Sequence, residues 1–342
     1  MGGTALGAAA VLALAAVPLL SLPDYFMHVL ITMLLTAVAG TGWALMGRFG
    51  LVSFGHGAFL GIGAYTMALL WNLYGITPWI GIPLGVAAAM AVGVMLGYPS
   101  FRLRVVGHYF ALVTLAAGEI VRILIVALRG VTGGSLGMTP QQAPPEAAFA
   151  AMQFGKAGFW WLALAAWAGG LLAWRLLDRS MSSRALAAIA EDEDAAASIG
   201  IRVTREKLKV MMISVALAAL AGALTAQYRM YLNPESLAGL APSLQIVFGA
   251  IAGGMFSPIG PTIGALITIG LDESLRVFFG TQFIGAAPLV YGLLLVMFML
   301  FLPRGIAGLL ERRPAARVPQ PGPHREAAAP PGSLGEKPAT GA

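Results

Sequence analysis

The chain has no cysteine, which excludes disulfides and thiolate metal sites and leaves the redox compartment unreadable. Charge is scarce as well. Only 11% of the 342 residues are charged, 58% are hydrophobic, and mean hydropathy is +0.81. A water-soluble domain has no means of hiding that much apolar surface. No G-x-x-x-x-G-K-[ST] string occurs, so the chain carries no phosphate-binding loop of that type. Four histidines without an H-E-x-x-H pattern argue against a buried metal centre.

Long apolar runs are what the sequence has in abundance. Ten can be marked, at 5–22, 25–46, 51–72, 78–97, 108–128, 157–177, 208–230, 243–256, 259–279 and 284–302. A bilayer-crossing helix needs about 20 such residues; the eighth run is short and reads as tilted or re-entrant. Residues 1–22 resemble a signal peptide but lack its basic leader, so they read as a retained first helix. With both ends inside, 16 of the 21 Lys and Arg fall on the inner side, as the positive-inside rule requires. The net charge of +6 is thus an orientation signal and not a nucleic-acid footprint. The expected fold is an all-α integral membrane protein of about ten transmembrane helices with both termini cytoplasmic. Residues 1–310 form its membrane domain, and the Pro-, Ala- and Gly-rich stretch 311–342 reads as a disordered cytoplasmic tail.

Four motifs stand out. In "GLVSFGHGAFLGIGAY", Gly57, Gly61, Gly63 and Ala64 form a small-residue strip that lets a neighbouring helix lie close. Ser53 and His56 in the same string share a helix face, but no orienting acid or oxyanion element accompanies them, so packing is the better reading than hydrolysis. Glu119 and Arg122 lie three apart within the fifth run. At that depth charges must be paired or wet, so they are either a structural ion pair or a polar point on a solute path. "RGVTGGSLGMTP" opens a long external stretch in which Thr132, Gly133, Gly134 and Ser135 are candidates for an outer loop or gate; a plain connector is the alternative.

The fourth motif is "SRALAAIAEDEDAAASIG", residues 183–200, where four consecutive acids sit among basic clusters. Asp192 to Ile199 can form two helical turns with acids near the positive end, and Gly200 suits the position that ends a helix. A short cytoplasmic helix between the sixth and seventh crossings follows, either a solvated connector or a docking element.

"DAAASIG" matches the [ED]-A-A-x-x-x-G core of the coupling loop of ABC importer permeases, although the distal I-x-L-P part is absent. Together with "YFALVTLAAGEIVRILI", "VTGGSLGM", "GGMFSPIGPTIGA" and "LPRGIAGLL" in order, the chain resembles the high-affinity branched-chain amino acid permeases of the LivM type. Ala190, Leu136 and Trp43 depart from the residues usual there. The resemblance implies a non-enzymatic transporter subunit in the inner membrane that forms the solute path with a second permease. An external binding protein would deliver the solute, and two cytoplasmic ATPases carrying ATP and Mg would grip Glu191, Asp192, Glu193, Asp194, Ala195, Ala196 and Gly200, with Leu186 and Ile189 as apolar anchors. No cofactor is implied in this chain. Urea or short-amide importers share this permease type, and a free-standing secondary transporter or an intramembrane enzyme is a remaining alternative.

Overall fold

The computed structural model describes residues 14, 16–20, 22–279, a few positions between 289 and 297, and 305–310. The first and last expected runs lie largely outside the described residues, and the tail from 311 lies wholly outside them. Among the described residues the chain is helical, and the one β-type pairing is an isolated antiparallel bridge between Met138 and Leu232. The principal helices are α1 (Asp24–Gly47), α2 (His56–Tyr74), α3 (Pro78–Arg102), α4 (Gly107–Ala127), α5 (Lys156–Arg179) and α6 (Met181–Glu191). They continue with α7 (Glu193–Ser198), α8 (Val203–Arg229), α9 (Leu240–Gly253), α10 (Gly260–Phe279) and α11 (Gly305–Leu310). Six helical stretches among the described residues are long and apolar enough to cross a membrane: α1, α3, α4, α5, α8, and Pro234–Gly253, which includes α9.

Helix α8 is the centre, with α1, α2 and α3 packed around it. Its sequence explains this placement, because Ala218, Ala219, Ala221, Gly222 and Ala223 present almost no side chain and are all buried. Backbones can then approach as membrane helices do in the absence of a strong hydrophobic drive between them. A Cβ on Gly63 would fall 2.3 Å from the Ala219 carbonyl oxygen, and one on Gly222 would fall 2.2 Å from that of Leu60. The pair α9–α10 uses the same device, since a Cβ on Gly264 would meet the Gly249 carbonyl oxygen at 1.8 Å.

The helix expected from residue 51 begins only at His56. Its depth follows from one hydrogen bond, His56 Nε2 to Ser214 Oγ at 2.8 Å. Ser214 lies eleven residues into α8, or about 16 Å along a helix of about 40 Å. Residues 51–55 therefore run as irregular backbone from the Arg48 end of the bundle to the level of Ser214, which is tolerated within a membrane only where the polar groups find partners inside the protein or in water. Several of them do: Phe54 N–H donates to Thr114 Oγ1 at 3.1 Å, Gly55 N–H to Ser53 Oγ at 3.3 Å, and Trp43 Nε1–H to the Ser53 carbonyl at 2.8 Å.

A second break meets the first. Ala238 and Gly239 lie against Gly61 and Gly57, and Gly57 N–H donates to Ser243 Oγ at 2.8 Å. From there α9 runs 14 residues, about 21 Å and short of the roughly 30 Å hydrocarbon core. The short eighth run is thus a helix of about two thirds of that thickness, brought to crossing length only together with the helical turn Pro234–Leu237 that precedes it.

Candidate functional site

Helices α6 and α7 project between α5 and α8 as a helix–break–helix element, where the sequence predicts one short helix. The break is Asp192, with extended backbone (φ −155°, ψ 113°) and a carboxylate that caps α7 by accepting from the N–H groups of Asp194 and Ala195, each at 2.9 Å. Such a cap satisfies donors that the first turn leaves orphaned. The other end is closed as the sequence indicates. Gly200 adopts φ +91°, its N–H donates to Ala197 O at 3.0 Å, and Ile201 N–H donates to Ala196 O at 3.2 Å. That pair of bonds is the Schellman stop, which requires a left-handed residue and so favours glycine.

Burial divides the element into two faces. Leu186, Ile189 and Ala196 are buried within this chain, so Leu186 and Ile189 anchor α6 to its own bundle and are not available as apolar anchors for a partner. The exposed face carries Glu191, Asp192, Asp194, Ala195, Gly200 and a bare Ile199 that is 75% exposed. Two acids are held by bases that sequence reasoning had assigned only an orienting role. Arg104 pairs with exposed Asp194 at 2.6 Å, and Lys207 pairs with Glu193. Lys207 is almost fully buried, with its ammonium 6.0 Å from the Phe101 ring centroid. At the same end of the bundle Arg48 reaches Asp178 at 2.7 Å between the rings of Phe49 and Trp174. Burial pushes the Arg48 guanidinium below its ordinary range, against the pull of the Asp178 charge and hydrogen bond.

The central charges form a triad and not a pair. Arg122 Nε donates to Glu119 Oε1 at 2.9 Å, and another guanidinium nitrogen reaches Glu235. Gly118 would place a Cβ 3.3 Å from the Gly55 Cα, so Glu119 sits beside the first backbone break, near mid-depth. Glu235 comes from the turn leading to the second break, and no periodicity could have linked it to α4. The triad lies at the surface of the chain, with Glu119 and Glu235 side chains 43% and 70% exposed. Removing Arg122 would leave two carboxylates facing each other. Arg122→Gln is therefore expected to lower membrane abundance severalfold, whereas Glu235→Gln stays within about twofold, measured by quantitative immunoblotting of membranes.

Ser53 and His56 are buried beside Ser214 with no acid in contact, which fits packing. Gly57, Gly61, Gly63 and Ala64 all face backbone or small residues of neighbouring segments or are fully buried. In the long connection after α4, Thr132 Oγ1 donates to the Ile125 carbonyl at 2.6 Å and accepts from Gly134 N–H at 3.2 Å. Gly133 and Gly134 adopt positive φ, and Ser135 lies in the following 3-10 turn. Gly137 passes so close to Leu232 that a Cβ would sit 2.0 Å from its carbonyl oxygen, and the Met138–Leu232 bridge fixes the loop there.

Residues 2–302 match the family described as branched-chain amino acid transport system / permease component. The chain belongs to this family. Among branched-chain amino acid permeases it is 34% identical over 286 residues to LivM of Salmonella typhimurium and 32% identical over 283 residues to LivM of Escherichia coli K12. Each alignment takes in 77% of this chain and 65% of the relative, so the chain spans about two thirds of the length of the LivM proteins it matches. LivH of Escherichia coli K12 is 27% identical over 292 residues, covering 80% of this chain and 92% of LivH. No solved structure matches. Membership of a permease family and six helices long and apolar enough to cross a membrane, among the described residues, together make the chain an integral membrane protein.

Proposed function

We propose that the chain is the permease subunit of an ATP-driven importer for branched-chain or related amino acids. In this reading ten helices cross the inner membrane with both termini cytoplasmic, and the end bearing Arg48, Arg104 and α6–α7 faces the cytoplasm. A second permease completes the solute path, an external binding protein supplies the solute, and two ATPases hydrolyse ATP below. The observation that carries the reading is the α6–α7 element of a branched-chain permease: α7 is capped at both ends, α6 is anchored by Leu186 and Ile189, and Ile199 and three acids are exposed. The occurrence of both LivM and LivH among the relatives supports pairing with a second permease. Urea or short amides are the alternative solutes, distinguished by binding assays on the cognate external protein.

ATPase closure can drive transport only if α7 makes different contacts in the two access states. A Cβ on Gly200 would meet nothing within 4 Å, so a large side chain there projects into the space a partner would fill. Gly200→Trp is expected to abolish ATP-driven uptake in proteoliposomes with membrane abundance retained. Gly200→Ala shares the left-handed strain of about 1 kcal/mol but not the bulk, and should keep most uptake. Normal uptake by the tryptophan variant, or full transport without any ATPase, would overturn the reading.

A further inference from the structure

The last turn of α3 and the first turn of α8 enclose a cavity of about 550 Å³ lined by Arg102, Arg104, Arg202 and Arg205, with Tyr98 and Thr204 beside them. Arg104 is held by Asp194, whereas Arg102, Arg202 and Arg205 have no salt bridge or side-chain hydrogen bond among the described residues. Glu193 also lines the cavity, but its charge is already matched by Lys207. Arg102, Arg202 and Arg205 thus line one open space together and none of them is held in a salt bridge, although Arg205 also feels the charge of neighbouring Glu206. Guanidinium groups bind phosphate oxygens through paired N–H donors.

The surface beside the cavity specifies the source of the phosphate. Along α3, Leu84, Ala87, Ala91, Met95 and Tyr98 are all exposed and recur every three or four residues, so they form one uncovered apolar stripe. Arg102 is the next residue on that stripe, one turn beyond Tyr98. Tyrosine and arginine at the end of a membrane-facing stripe mark the headgroup level. A free anion would use only the arginines, whereas a phospholipid uses both parts, its acyl chains along the stripe and its phosphate in the cavity. Basic pockets between membrane helices take anionic headgroups in this way. We propose that this cavity is a binding site for the headgroup phosphate of an anionic phospholipid. Because Glu193 of α7 forms part of its wall, the bound headgroup lies against α7. The site itself does not depend on the transport reading.

The test uses the full chain in nanodiscs of phosphatidylcholine alone or mixed with phosphatidylglycerol, with retained lipid read by native mass spectrometry. Arg102→Gln/Arg202→Gln/Arg205→Gln is expected to reduce retained phosphatidylglycerol tenfold or more. A second triple variant, Arg175→Gln/Arg179→Gln/Arg184→Gln, removes the same charge from the same end and should retain it. Equal thermal midpoints of both variants in pure phosphatidylcholine confirm that neither has unfolded; should the first triple melt early, Arg202→Gln alone, at an exposed position, replaces it. Equal retention by the two triples would overturn the proposal. So would displacement of the lipid by inorganic phosphate, which would point to a soluble anion, or unchanged lipid retention with loss of ATPase co-purification, which would make the arginines a protein-docking surface.

Discussion

Gly63→Leu is expected to eliminate folded protein from the membrane. Gly63 lies where three helices meet: a Cβ there would fall 2.3 Å from the Ala219 carbonyl oxygen and 2.8 Å from the Ala219 Cα, and a Cβ on Gly85 of α3 would in turn meet the Gly63 carbonyl oxygen at 2.8 Å. All of these contacts are with backbone, which cannot rotate away as a side chain can. Either α2 and α8 separate, forfeiting the close packing of the alanine-rich centre, or the leucine is crushed. Overpacking ordinarily costs about 1–3 kcal/mol where side chains can yield, and here none can, so the loss exceeds that range. Gly169→Leu is the matched control, because a Cβ at Gly169 has nothing within 4 Å. Membrane abundance and monodispersity in detergent provide the measurement. A Gly63→Leu protein eluting like the parent would show that α2 and α8 are not held at the observed distance.

The second large effect concerns Lys207. Its side chain is 5% exposed and that of Glu193 is 21% exposed, so Lys207→Met leaves a mostly buried carboxylate without its partner. Breaking a buried pair from one side costs roughly 3 kcal/mol or more, because the remaining charge keeps its desolvation penalty. The thermal midpoint in detergent should fall, and ATP-driven uptake with it, since the pair fastens α7 to the first turn of α8. Adding Glu193→Gln to Lys207→Met removes the stranded charge and should recover most of the midpoint. The cycle is expected to show a coupling of at least about 1 kcal/mol. Additive single effects would mean that the pair contributes nothing to holding α7.

Particular residues show what could be read from the chain alone. Helices α1, α3, α4, α5 and α10 fall within a few residues of the apolar runs, because burial in lipid is written one residue at a time. Gly200 was legible as a helix stop, since the left-handed position has a strong chemical preference for glycine. The start of α2 was not. Leu51, Val52 and Phe54 continue the apolar run, and the irregular path depends on partners distant in sequence, such as the Thr114 hydroxyl on Phe54 N–H, that no local pattern reveals. Glu235 and Lys207 escaped for the same reason. Their partners lie 113 and 14 residues away, and complementary charges at those distances leave no pattern in a single sequence. The family resemblance implies Leu186 and Ile189 as apolar anchors for the ATPases, whereas both are buried within this chain, a placement set by how α6 rests on the bundle and not by any local pattern.

The two breaks have a mechanical consequence. At residues 51–55 and 238–239 the helical path is interrupted, and the segments on either side are joined by side-chain hydroxyls and glycine contacts. Tilting α2 or α9 about those points would leave the hydrogen bonds within each helix intact, whereas the Gly57–Ser243 bond couples the two, so a tilt of one carries the other with it.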